Sequence, residues 1–364
     1  MTLLGSFGVI FFYQQFDNSF TKVIVLRFVL FGIFMLLLPI GAKFFKRVGF
    51  EPLMRFAMPF LALSMLSLYL FDKTDMAAWI GLYIVTLTIF RLTYWMPYHI
   101  DYAKLTNNKS RGKQLAIMSN IEIIFSAVIP IFTGFVIARY GFSPIFLISI
   151  IVVLASIIPL LSLETTYEEY SFSYWESFKK LFAKKNRSLF LSHFSRGTET
   201  AVSGVIWPIY IFIAFNEEYT TFGIIASLSV LSLVLLRAFV GYLDDIGKKQ
   251  LLLKISGFLG ASSWILKMFV DTPTEVFAAD TYYNTGRASQ DMAYTHTMYE
   301  HAADNGSYID EYTVFRELSL NFGRLFILLI SVPIVIYFPP QVTFIVAAIA
   351  SLFVSSESSE KCVN

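Results

Sequence analysis

The chain of 364 residues is short of charge, of cysteine and of histidine. Only 15% of its residues are Asp, Glu, Lys or Arg, where a soluble domain carries roughly 25%. Too few charges remain to cover a soluble surface when 56% of the residues are apolar. The one cysteine, Cys362, sits in the polar C-terminal tail, so no intrachain disulfide is possible. Four scattered histidines show no metal-ligand spacing, and no cofactor site is legible. There is no G-x-x-x-x-G-K-[ST] loop to hold a nucleotide, and neither H-E-x-x-H nor G-x-S-x-G to carry hydrolysis. An enzyme is therefore not expected. The net charge of +2 is spread over loops and makes no basic face for nucleic acid.

What the chain does have is apolar runs. They predict an all-α membrane protein of about twelve transmembrane helices, at 2–16, 22–45, 52–72, 77–104, 114–140, 143–163, 188–214, 221–243, 250–270, 275–301, 311–336 and 341–354. The run Leu3–Phe16 has neither the basic start nor the cleavage site of a signal peptide. It is also short for a span. Either the chain begins inside helix 1, or that helix is short. Lysines and arginines collect in alternate loops, around Lys43–Arg55, Lys104–Lys113, Lys179–Arg187 and Lys248–Lys254. The opposite loops hold only Lys22, Lys73 and Arg139. This bias predicts a cell-membrane protein with both termini in the cytoplasm.

The long connection 164–187 divides the chain into six-helix halves at 1–163 and 188–354, followed by a polar tail at 355–364. In it, Phe172, Trp175, Phe178 and Phe182 alternate with lysines, the pattern of a helix lying in the membrane interface. The halves echo one another at an offset of about 200 residues, with Arg91 answering Arg287 and His99 answering His296.

The loop at Gly241, Leu243, Asp245, Gly247, Lys248 and Lys249 follows a glycine-acid-basic pattern, and Gly41, Lys46, Arg47 and Gly49 form a degraded first copy in which Phe45 replaces the acid. Over its whole length the chain resembles the major facilitator superfamily, whose signature G-x-L-x-D-R-x-G-R-R lies in these two loops. The resemblance implies two pseudo-symmetric six-helix bundles that alternate access to a midplane site. It also implies a cytoplasmic gate at Gly241, Asp245, Gly247, Lys248 and Lys249. In the fifth helix Pro130 and Gly134 survive from the family's antiporter stretch, too little to imply antiport.

A charge at mid-bilayer costs at least about 2.5–3.5 kcal/mol, so the polar residues inside these runs need partners, water or a task. They fall into stripes at helical spacing: Arg91, Trp95 and Tyr98; Arg196 with Glu199; Asp280, Asn284, Arg287 and Asp291; Glu317, Asn321 and Arg324. A face this polar lines a cavity or pairs across the bundle. Arg287 and Asp291, four residues apart, either pair within their helix or serve a substrate. Glu122, Glu199, Glu317, Asp101 and His99 are candidates for proton coupling or for pairing with arginines. Arginine outnumbers carboxylate near the midplane, which predicts a small anionic or zwitterionic substrate. The expected protein is a proton-coupled secondary transporter, monomeric, meeting only substrate and lipid. A lipid flippase, a drug exporter and a non-transporting receptor or assembly protein are the alternatives on the same scaffold.

Overall fold

The computed structural model describes residues 4–98, 111–163, 165–167, 170–245, 249–304 and 309–354. For 111–123, 238–245, 249–254, 289, 291–304 and 309–310 only the backbone is described. His99, Asp101, Gly247 and Lys248 lie outside the described residues, as do the side chains of Glu122, Asp245, Lys249 and Asp291 and the surroundings of Gly241.

The described residues form fourteen helices and no strand. They are α1 (Phe7–Gln15), α2 (Phe20–Ala42), α3 (Phe45–Val48), α4 (Phe50–Tyr69), α5 (Met76–Tyr98), α6 (Arg111–Tyr140), α7 (Ser143–Leu160) and α8 (Tyr174–Leu181). Then follow α9 (Lys184–Ala214), α10 (Tyr219–Asp245), α11 (Lys249–Leu266), α12 (Pro273–Asp304), α13 (Ile309–Tyr337) and α14 (Val342–Val354).

Seven of these are long and apolar enough to cross a bilayer, not the twelve expected. They are α2, α4, α5, α7, α9, and the stretches Tyr219–Arg237 of α10 and Glu311–Tyr337 of α13. Part of the difference has physical causes. The nine residues of α1 rise only about 14 Å against a hydrocarbon core of about 30 Å. The thirteen of α14 are apolar but also short; of α6 the described apolar stretch is Ile124–Tyr140, and α11 is described with side chains only from 255 on. α12 is long, but its polar stripe interrupts the apolar sequence that a span requires. The protein is an integral membrane protein with several helical spans.

Helix ends follow local chemistry. The Ser19 hydroxyl accepts from the Lys22 amide and starts α2. In the central connection Ser173 and Glu176 form a capping box that starts α8, a shorter helix than the aromatic pattern suggested. Trp175 and Phe182 project from it, exposed. The end of α1 and the end of α9 are closed by the same turn. Positions 17–18 and 216–217 are both left-handed pairs, and the amides of Asn18 and Glu217 donate to Tyr13 and Phe212 respectively.

Packing is equally patterned. α4 lies against α5 and α7, and α11 lies against α12 and α14. The first and second parts of the chain meet along two seams, α2 against α13 and α6 against α10. At the second seam Gly134 and Gly223 face each other. A Cβ at Gly223 would fall inside the contact distance of the Pro130 carbonyl oxygen, so glycine is what lets these backbones touch.

The connection 164–187 is fastened at two points by buried carboxylates. Glu51, at the start of α4, accepts from the Thr166 amide at 2.7 Å and from its hydroxyl at 3.1 Å. Glu311, in the first turn of α13, accepts from the amide of Ser171 at 3.0 Å and from its hydroxyl. Each acid sits at a helix N-terminus, where the macrodipole favours negative charge.

Candidate functional site

Among the described residues, two groups of charged side chains lie in the interior besides Glu51 and Glu311. The first lies where α2, α5 and α13 meet. Arg91, on α5, and Arg324, on α13, both hold their guanidinium over the ring of Phe31, at 5.0 and 5.1 Å from its centre. Arg91 also lies over Phe34 at 5.5 Å. Arg324 donates to Asn321 Oδ1 at 3.2 Å and stands 4.0 Å from Glu317, which is itself 3.5 Å from Arg316. Asn321 turns its amide back to the Glu317 carbonyl, so it orients the arginine from within the helix.

Arg91 also faces a cavity of about 700 Å³ bounded by α1, α2, α4, α5, α6 and α7. Arg27 of α2 is the other charged residue on its wall among the described residues. Its Nε is buried and makes no hydrogen bond. Neither arginine has a carboxylate within ion-pair distance among the described residues. The remaining walls are mostly aliphatic, with Leu61, Met65, Leu87 and Ile129 among them.

The second group lies among α9 to α12 and α14, and here every described acid is matched. Lys267, in the short 3-10 turn just after α11, is 1% exposed and lies 2.8 Å from Asp280. Its ammonium is caged by the rings of Tyr283, Trp207 and Trp264 at 4.1, 4.5 and 4.6 Å. The second oxygen of Asp280 accepts from Ser229. Asn284, one turn further along α12, donates to the Ser229 carbonyl and to Ser232. Glu199 is 1% exposed. One of its oxygens accepts from the Trp264 indole at 3.2 Å and from Ser351 at 3.1 Å. The other lies 3.7 Å from Arg196 and takes no hydrogen bond. Arg196 in turn approaches Gln290 at 3.4 Å. Arg287 is half-buried on the same helix as Asp280, with its Nε inside the protein.

The stripes read from the sequence thus divide. Arg196, Glu199, Asp280 and Asn284 join one cluster, while Arg91, Asn321, Arg324 and Glu317 join the other. Trp95 leaves its stripe: it is 39% exposed. The reason is a π-helical turn over Arg91–Trp95, whose wider i→i+5 spacing carries later side chains round the axis. The face that results is a stacked ladder of Phe90, Tyr94 and Tyr98, with ring centres 5.2 and 5.8 Å apart. A second π-helical turn, Val202–Ile206, follows the Arg196–Glu199 pair in α9.

Two residues central to this geometry escaped the sequence reading. Arg27 sits alone in the most hydrophobic run of the chain, and a lone arginine there was itself the signal. Lys267 occurs near a loop, where a lysine is ordinary, and nothing in its own helix announces the cage. Among the described residues no group of His, Cys, Asp and Glu is arranged to hold a metal ion. No protein-family model matches the sequence, and no curated protein matches it either.

Proposed function

We propose that the protein is a secondary transporter of the major facilitator type that moves a small anion by alternating access between two six-helix halves. The observation that carries this reading is the meeting of Arg91 and Arg324 over one phenyl ring, from helices on either side of a seam. Both guanidiniums lie within 5.1 Å of the same ring centre. They are therefore at most about 10 Å apart, and at an effective dielectric of about 20 their direct repulsion is at least about 1.7 kcal/mol. An anion between them removes that repulsion and gains an attraction from each side. Binding at such a point draws the two halves together, which is the step alternating access needs.

The helix pairings support two equivalent halves. The second helix of each half packs on the fifth of the other, α2 on α13 and α10 on α6. The third helix of each packs on the fourth and sixth of its own half, and the first helix of each ends in the same left-handed pair. In this reading the lysine- and arginine-rich loops, and both termini, face the cytoplasm. Asp245 and its neighbours would serve as the gate on that side. Glu199 is the favoured proton carrier, being buried with one oxygen free of hydrogen bonds.

The test is thermal unfolding of the detergent-purified protein with anionic, neutral and cationic solutes at pH 5.5 and 7.5. Ligands that bind the folded state raise the melting temperature by mass action. Stabilisation by an anion, lost in both Arg91→Ala and Arg324→Ala, is the expected result. Stabilisation by a cation, or by an anion regardless of both substitutions, overturns it.

A further inference from the structure

We infer that the substrate is an amphipathic monoanion, an anionic head joined to an apolar body, which reaches Arg27 and Arg91 sideways from the bilayer. The inference rests on the transporter reading above and names its substrate class. Three observations support it. The cavity beside Arg91 has a volume of about 700 Å³, in the middle of the range for sites that enclose an organic molecule. Its charged walls among the described residues are Arg27 and Arg91, both cationic, and most of the rest is aliphatic. A hydrophilic polyanion of this size would leave charges against aliphatic walls, where each is severely penalised. A single head on a hydrocarbon body leaves none.

The third observation concerns access. Phe125 of α6 and Val152 of α7 both line the cavity, and both are more than half exposed. In this reading, with α7 crossing the bilayer, the wall they form faces lipid, one side chain from the cavity. α6 keeps its main packing for α10 and touches α7 only lightly. The gap between α6 and α7 is therefore the entrance, and an acyl-like body enters it without leaving an apolar medium. Its head then meets Arg27, whose Nε is buried without a hydrogen bond. Bidentate hydrogen bonds from guanidinium to an oxyanion supply that missing partner.

The test uses the full chain in nanodiscs of neutral lipid, with Cys362→Ser as background. Thermal unfolding is followed with decanoate, decanol and acetate. Decanoate is expected to stabilise at concentrations at least tenfold below acetate, and decanol not at all. Arg27→Gln should weaken decanoate at least tenfold. Ser149→Phe, which narrows the cavity, should weaken decanoate and spare acetate. A second measurement does not depend on the arginines: Ile129→Cys should react with a small membrane-permeant maleimide, and decanoate should protect it. If acetate and decanoate act equally, both through Arg91 and Arg324, the amphiphile is wrong and the anion transporter stands. If Ile129→Cys is unreactive, the cavity is filled by protein and the lateral site is overturned. If cations alone stabilise, both readings fall.

Discussion

In the second half of the molecule Asp280, Glu199 and Glu317 each have a cation within 4.0 Å. In the first half Arg27 and Arg91 face a cavity with no described carboxylate in reach. The two arrangements contain the same kinds of side chain and have opposite physical meaning. Removing one partner of a buried ion pair leaves a charge that the interior cannot solvate. Arg27 and Arg91 are partly buried and have no described counter-ion, and the rings of Phe31 and Phe34 hold Arg91; in the proposed reading such cations can accept an incoming anion. The difference separates ion pairs, whose breaking leaves a buried charge, from arginines with no described carboxylate beside them.

The largest effect that follows is on stability. Asp280→Asn should lower unfolding free energy by about 3–5 kcal/mol, because Lys267 stays buried without its partner. The double variant Lys267→Met with Asp280→Asn should recover most of that loss. Arg91→Met should be neutral or stabilising in the same thermal assay, since it relieves repulsion from Arg324. An Arg91 variant as unstable as the Asp280 one would erase the distinction between the halves.

Next in size are the carboxylates that fasten the central connection. Glu51→Gln should cost about 1.5–3 kcal/mol, the worth of hydrogen bonds to a charged group. Glu311→Gln should cost the same or less, since one of its oxygens already lacks a partner. Limited proteolysis within 164–187 should quicken in both variants. At the seam between the halves, Gly223→Ala should cost about 1–3 kcal/mol through overpacking against the Pro130 carbonyl. It should also slow any transport, while Gly81→Ala, which has open space around it, should do neither.

The smallest effect lies on the surface, away from both groups. Hydrogen bonds from Lys73 and Lys22 hold the Asp17 carboxyl below its ordinary value of 3.8, and the hydroxyl and amide of Thr74 do the same for Asp72. A depressed carboxyl stabilises the fold above its unfolded pKa, and that contribution disappears as the pH falls through the folded value. Melting temperature should therefore decline below about pH 4, slightly less so in Asp17→Asn. High salt should shrink the Asp17 part of the effect, because both lysines and the acid are exposed.

Much of this protein was legible before folding. Apolar runs marked nearly every helix, because a bilayer demands that each backbone bond be satisfied within its own segment. The stripes marked one face of each of α5, α9, α12 and α13 as turned inward, because a polar face cannot meet lipid. The number of spans was not legible in the same way. A hydropathy run ends where polarity begins, and the helix need not: α12 carries its stripe straight through, while α1 and α14 are apolar yet short.

Sequence alone determined which segments are helical and which faces must be hidden, since both depend on one strand of chain and its solvent. Only the tertiary structure decided which charges are paired. The cage around Lys267 draws on α9, α11 and α12, and the ring shared by Arg91 and Arg324 belongs to α2. Spacing along one helix carries no information about a partner contributed by another. A π-helical turn in α5 was enough to move Trp95 off a face that 3.6-residue periodicity had assigned to it.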